Sequence, residues 1–108
     1  MTVNLLAEKC GFTPTALPDP DREINGCYIG DLLSWVMGRA QADEAWITIM
    51  SNINIVAVAS LADVSCVILA EGVTAPENVR SAAEAKGVNI LISDKPAFET
   101  AKAITEYC

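Results

Sequence analysis

Six residues with the chemistry to hold a ligand stand just beyond three short apolar runs. Ser51 and Asn52 follow Trp46 to Met50, Glu71 and Gly72 follow Cys66 to Ala70, and Ser93 and Asp94 follow Asn89 to Ile92. Each loop then opens a segment of helical character. In a parallel α/β sheet such loops lie side by side along one edge, where ligands of these sheets bind. Hydroxyls, an amide and two carboxylates at helix N-termini suit a small polar or anionic ligand, because the first backbone N–H groups of a helix are unpaired and its dipole is positive there.

Catalysis asks more of the same residues. The chain has no histidine, so a serine or cysteine nucleophile would need Lys95 or a carboxylate as its base. No G-x-S-x-G elbow surrounds Ser51 or Ser93, and Cys66 begins its strand at the opposite end from the loops. Glu71 and Asp94 form a candidate acid/base pair, and Glu71 with Lys95 is the minimal set for a small enzyme. Asp94, however, has a competing role as the N-cap of the last helix, where its carboxylate accepts backbone N–H bonds. Glu71 has no such duty. Neither G-x-G-x-x-G nor G-x-x-x-x-G-K-[ST] occurs; Gly26-Cys27-Tyr28-Ile29-Gly30 supplies two glycines without a lysine.

The elements that position these loops follow from periodicity. Thr2 caps a helix carrying Val3, Leu6, Ala7 and Cys10 on one side, stopped by Gly11. Phe12 to Leu17 is a short strand that Pro14 confines to an edge. Pro18-Asp19-Pro20-Asp21-Arg22-Glu23 is a charged turn, read as a solvated hairpin connection. Ile24 to Ile29 is a strand, followed by a helix from Leu32 to about Ala40 with Asp31 as its cap. Leu32, Leu33, Val36, Met37 and Ala40 form its apolar stripe, and Trp35 lies off it, partly covered by a neighbouring segment.

Residues 53 to 62 fit either a strand or a buried helix. The fifteen residues between the strands at 46–50 and 66–70 allow a parallel crossover, so helix is preferred to a hairpin. Thr74-Ala75-Pro76-Glu77 reads as a capping box, with Val79, Ala82, Ala83 and Lys86 on the buried side and Gly87 as the stop. Ala97, Ala101, Ile104 and Cys108 mark the buried side of the last helix. The expected fold is therefore α/β, a three-layer, helix-flanked, mostly parallel sheet of about five strands.

At 108 residues the chain fits one domain, spanning 1–108, and its 52% hydrophobic content points to buried strands plus a homodimer contact. No apolar run exceeds five residues, which excludes a membrane span. Glu8 and Lys9 without a long apolar core leave no secretory signal in view. Seven basic against fourteen acidic residues give a net charge of −7, with the cations scattered, so nucleic acid is not an expected partner. Cys10, Cys27, Cys66 and Cys108 lack a C-x-x-C pair; free thiols in a cytoplasmic protein, with no metal and no cofactor, are the simpler reading.

The segments Ile24-Asn25-Gly26-Cys27-Tyr28-Ile29-Gly30-Asp31-Leu32-Leu33, Trp46-Ile47-Thr48-Ile49 and Val56-Ala57-Val58-Ala59-Ser60-Leu61, with Val67-Ile68-Leu69-Ala70-Glu71-Gly72 and Ala97-Phe98-Glu99-Thr100-Ala101, resemble a stand-alone DRTGG domain. The resemblance runs over nearly the whole chain. It implies a fold similar to the N-terminal domain of HPr kinase/phosphorylase. It also implies a regulatory, non-catalytic module of the kind that occurs alone, between CBS domains or within some phosphotransacetylases. The chain departs from the name-giving motif: its only Asp-Arg pair is Asp21-Arg22, and no Thr-Gly-Gly follows. The six candidate residues accordingly rest on their strand-end positions. The preferred reading is a non-catalytic regulatory domain that binds a small anionic or nucleotide-like ligand at the strand C-terminal edge and acts as a homodimer; the alternatives are a protein–protein interaction module docking on an enzyme or regulator and, second, a small enzyme using Glu71 and Lys95.

Overall fold

The apolar runs divide by parity between two cores. The computed structural model describes residues 1–108. In it Trp46, Val67, Leu69 and Ile90 point to one side of a sheet, and Ala45, Ile47, Cys66, Ile68 and Leu91 to the other. This is the period-2 alternation of a strand buried on both faces.

The chain runs α1 (Val3–Cys10), β1 (Thr13–Ala16), β2 (Cys27–Ile29), α2 (Leu33–Arg39), β3 (Ala45–Thr48), α3 (Asn54–Ala62), β4 (Cys66–Leu69), α4 (Glu77–Lys86), β5 (Ile90–Ile92) and α5 (Ala97–Thr105). The five strands lie in the order β1-β5-β4-β3-β2. β2 to β5 are mutually parallel and β1 is antiparallel on β5. The expected three-layer α/β sheet is therefore what forms. Val36 of α2, Ile55, Val56 and Ala59 of α3, and Val79 and Ala83 of α4 pack on the Trp46 side. Val3, Leu6 and Ala7 of α1 and Ile104 of α5 pack on the other. Three successive parallel crossovers step in one direction, and a fixed handedness of crossover puts their helices on one face.

Residues 53 to 62 are helical, as the crossover requires. Thr2 accepts from the Leu5 N–H at 3.2 Å and Gly11 ends α1 at φ +72°, as the local pattern predicts.

Several expectations are corrected. The turn from Pro18 to Glu23 is not a hairpin connection, because β1 and β2 occupy opposite edges of the sheet. It crosses beneath the sheet, held by Asn89 and by the Arg22 guanidinium, which donates to Asp43 and Asp63. Burial pulls on the Arg22 pKa from below, but the two carboxylates outweigh it and raise the pKa above its usual value. The strand expected over 24–29 is confined to Cys27–Ile29, since Gly26 at φ +132° interrupts the extended run. Asp31 does not cap α2; Leu32 stands at the N-cap without a side-chain bond, and both Leu32 and Met37 are exposed. Trp35 is exposed too and lies beneath its own helix's Arg39, whose guanidinium is 3.7 Å from the ring centroid.

Pro76 replaces Thr74 as the N-cap of α4 and Pro96 replaces Asp94 as that of α5, neither with a side-chain bond. Each proline has an extended ψ; the Pro76 carbonyl accepts the Val79 and Arg80 N–H groups and the Pro96 carbonyl the Thr100 N–H, so each helix begins at the residue after its proline. Lys86 and Cys108 are exposed, not buried; Thr100, one turn before Ile104, takes a buried place on α5 instead.

Candidate functional site

β4 and β5 are neighbours, yet the helices that follow them part. α4 packs with the Trp46 side of the sheet and α5 with the Leu91 side. In an open α/β sheet a crevice opens where adjacent strands send their connections to opposite faces. Here that point lies between the Ala70–Pro76 loop and the Ser93–Pro96 loop. Four of the six predicted residues, Glu71, Gly72, Ser93 and Asp94, sit at it.

The two loops are stitched together. The Gly72 N–H donates to the Ser93 carbonyl at 2.8 Å and the Glu71 N–H to the Lys95 carbonyl at 2.9 Å. These bonds need a sharp reversal after β4, which Glu71 and Gly72 supply as consecutive left-handed residues, at φ +60° and +69°. Gly72 adopts this freely, whereas Glu71 is strained by about 1–2 kcal/mol. A Cβ on Gly72 would stand 3.6 Å from the Asp94 Oδ1, so the Asp94 carboxylate lies directly over the glycine. Glu71, Gly72 and Asp94 are exposed. The two bonds bridge the gap between the loops, and the chain by itself encloses no pocket there.

Ser93 faces inward. Its side chain is 1% exposed, and its Oγ lies 2.7 Å from the Oγ1 of Thr100, which is fully buried. The same Oγ accepts the Lys95 N–H at 3.2 Å, and Thr100 Oγ1 also donates to the Lys95 carbonyl at 3.2 Å. Ser93 thereby fixes the start of α5, the task that the sequence assigns to Asp94. Ser93→Ala should lower stability by about 1–3 kcal/mol, because it leaves Thr100 Oγ1 and the Lys95 N–H short of a partner. Urea denaturation reads this directly; a loss below about 0.5 kcal/mol would mean that the hydroxyl pair holds nothing.

Ser51 and Asn52 belong to the neighbouring loop between β3 and α3. Ser51 is half-buried, and Asn52 is exposed with its Oδ1 accepting the Asn54 N–H at 2.9 Å. Asn52 thus helps to start α3, although Ile53 holds the N-cap position. Asp31, in the turn after β2 and not among the predicted site residues, binds the end of β3 at the same edge. Its Oδ1 accepts from Thr48 Oγ1 at 2.8 Å and from the Ile49 N–H at 3.0 Å. No local pattern announces either Thr100 or Asp31 in this role, since both act on segments distant in sequence.

The side chains exposed at the edge offer charge and hydrogen-bonding groups. The carboxylates of Glu71 and Asp94 suit hydroxyl or amino donors, whereas the Lys95 ammonium and the starts of α4 and α5 suit anionic groups. No three His, Cys, Asp or Glu side chains converge as a metal site would require. Burial, with Glu44 adding to it, pushes the Cys27 thiol up to about 11, and burial raises that of Cys66 further still. Neither thiol is primed as a nucleophile at neutral pH.

A family model described as the DRTGG domain matches residues 24–107, from the segment before β2 to the end of α5. The chain belongs to the DRTGG family. The edge where β4 and β5 send their helices apart is thus part of the DRTGG domain, and so are all six predicted residues. No curated protein matches the chain. Among solved structures, this DRTGG domain is similar to the regulatory region of Clostridium perfringens pyrophosphatase, described as its CBS and DRTGG domains complexed with an activator, diadenosine tetraphosphate. The TM-score is 0.73 at 11% identity, covering 92% of this chain and 44% of that one. The DRTGG domain here spans less than half of that region, and the likeness at this identity is one of fold. No helix of the domain is long and apolar enough to cross a membrane.

Proposed function

We propose that this DRTGG domain is a non-catalytic regulatory module. It binds a small anionic or nucleotide-like ligand at the strand C-terminal edge, over the bridged loops that follow β4 and β5, and it acts as a homodimer. The observation that carries the reading is the parting of α4 and α5 to opposite faces, which sets Glu71, Gly72 and Asp94 at the one point of the parallel edge where a crevice can open. A similar fold forms part of a pyrophosphatase regulatory region described with diadenosine tetraphosphate, and a nucleotide has the phosphates for Lys95 and the helix starts and the hydroxyls for the carboxylates. A non-catalytic role agrees with the inward commitment of the Ser93 hydroxyl to Thr100 and with the exposure of both Glu71 and Lys95. The 52% hydrophobic content supports the homodimer.

The test is a thermal-shift titration of the native protein with diadenosine tetraphosphate, ATP and inorganic pyrophosphate. A ligand at a hundred times its dissociation constant stabilises by about 2.7 kcal/mol, a rise on the order of 10 °C in a domain of this size. Glu71→Ala and Asp94→Ala should each leave the unliganded stability within about 0.5 kcal/mol, as exposed side chains do, while reducing that rise. No response to any of the three at millimolar concentration would sink the ligand assignment. The second reading, a protein–protein module, is favoured by Leu61 and Phe98, which are 74% and 72% exposed. It predicts a stable heteromeric complex and no small-molecule response.

A further inference from the structure

The two margins of the sheet are built differently. On the β1 margin Pro14 has no N–H to offer, and the pairing with β5 is irregular between Pro14 and Ala16. β2, on the other margin, pairs only with β3. The Gly26 carbonyl accepts the Ala45 N–H at 2.9 Å and the Gly30 N–H donates to the Ile47 carbonyl at 3.1 Å, so both glycines turn their main chain inward. Alternation then directs the N–H and carbonyl groups of Cys27 and Ile29 outward.

The strand itself carries no guard, although the Glu44 carboxylate of the neighbouring segment lies beside Gly26. The run from Asn25 to Gly30 contains no charge and no proline, the usual devices for blunting an edge. The Tyr28 ring does not cover it: a Cβ on Gly30 would come within 2.9 Å of the Tyr28 Cε2, so the ring lies along its own strand, over the glycine. Ile29, Leu32 and Ile49, at the same end of β2 and β3, are 50%, 56% and 48% exposed.

We infer that β2 is covered by β2 of a second copy, antiparallel about a two-fold axis through Tyr28, which joins the two five-stranded sheets into one. The inference rests on the homodimer of the proposed function and assigns its surface. A second copy is the occupant because the strand is complementary to itself. Turned about Tyr28, Cys27 faces Ile29 of the partner subunit and Ile29 faces Cys27 of the partner subunit, each pair exchanging two main-chain hydrogen bonds. The contact needs no sequence beyond the chain's own. The two Tyr28 residues oppose each other as a non-hydrogen-bonded pair, with Cα atoms about 4.5 Å apart.

Light scattering on the native protein at micromolar concentration should report twice the chain mass. Ile29→Lys, at a half-exposed position, places a charge on the margin and should raise the dimer dissociation constant at least about tenfold. Leu61→Lys on α3, an equally drastic change at a more exposed site, should leave the mass unchanged. In a Cys108→Ser background, Tyr28→Cys should form a covalent dimer on mild oxidation, because a Cα separation near 4.5 Å lies within disulfide range. A monomeric native protein overturns both the homodimer reading and this assignment. A dimer that Ile29→Lys leaves intact and Tyr28→Cys does not cross-link overturns the β2 edge alone and leaves the homodimer standing.

Discussion

Trp46→Ala is expected to lower the stability of this domain by about 3–5 kcal/mol, the range for removing a large aromatic from a core. Trp46 is fully buried in β3, and its indole Nε1–H donates to the Gly30 carbonyl at 2.8 Å, tying the end of β2 to β3. A domain of this size holds roughly 5–15 kcal/mol in total, so the variant is expected near the margin of folding, with a urea midpoint well below that of the native protein. Trp46→Phe separates the two contributions. It keeps most of the apolar volume but leaves the Gly30 carbonyl without its donor, a loss of about 1–3 kcal/mol. The only other tryptophan, Trp35, is exposed, so the fluorescence of Trp46→Phe should be that of a solvated indole. A Trp46→Ala variant with native stability would mean that the indole is not the centre of that core.

Asn89→Ala is expected to cost about 2–4 kcal/mol, because it orphans several main-chain groups at once, each worth about 1–3 kcal/mol. The side chain is 1% exposed. Its Oδ1 accepts the Asp19 N–H at 2.9 Å, and its Nδ2 donates to the Asp19 carbonyl at 2.7 Å and the Ser65 carbonyl at 3.0 Å. One amide thus joins the start of β5, the end of the α3–β4 connection and the long crossing from β1 to β2. Asn89→Asp tests the geometry: it keeps the acceptor for Asp19 but loses both donors, and should destabilise nearly as much. Hydrogen exchange at the Asp19 amide should speed up in both variants. A loss below about 0.5 kcal/mol for Asn89→Ala would show that water replaces the amide freely and that the crossing is held elsewhere.

What depends on neighbours three or four residues away, or on strand direction, was legible in the residues alone. Thr2 and Gly11 bound α1 because capping bonds close within one turn. The crossover length made residues 53 to 62 a helix, since a parallel pair cannot be joined by a tight turn. Parallel strands necessarily bring their C-terminal loops to one edge, which is why Glu71, Gly72, Ser93 and Asp94 were legible as neighbours. Tertiary structure decided everything that chooses between locally equivalent options. Thr74 and Pro76, or Asp94 and Pro96, are comparable helix starts, and the proline carbonyls took both because packing of α4 and α5 on the sheet fixes where each helix can begin. β1 and β2, adjacent in sequence, went to opposite margins because the parallel strands fill the sheet between them. Ser93 turned from the edge to Thr100 because α5 crosses to the face opposite α4, a choice made by the apolar residues of the whole helix and not by the loop. That choice also sets Asp94 over Gly72 at the point where the two connections part.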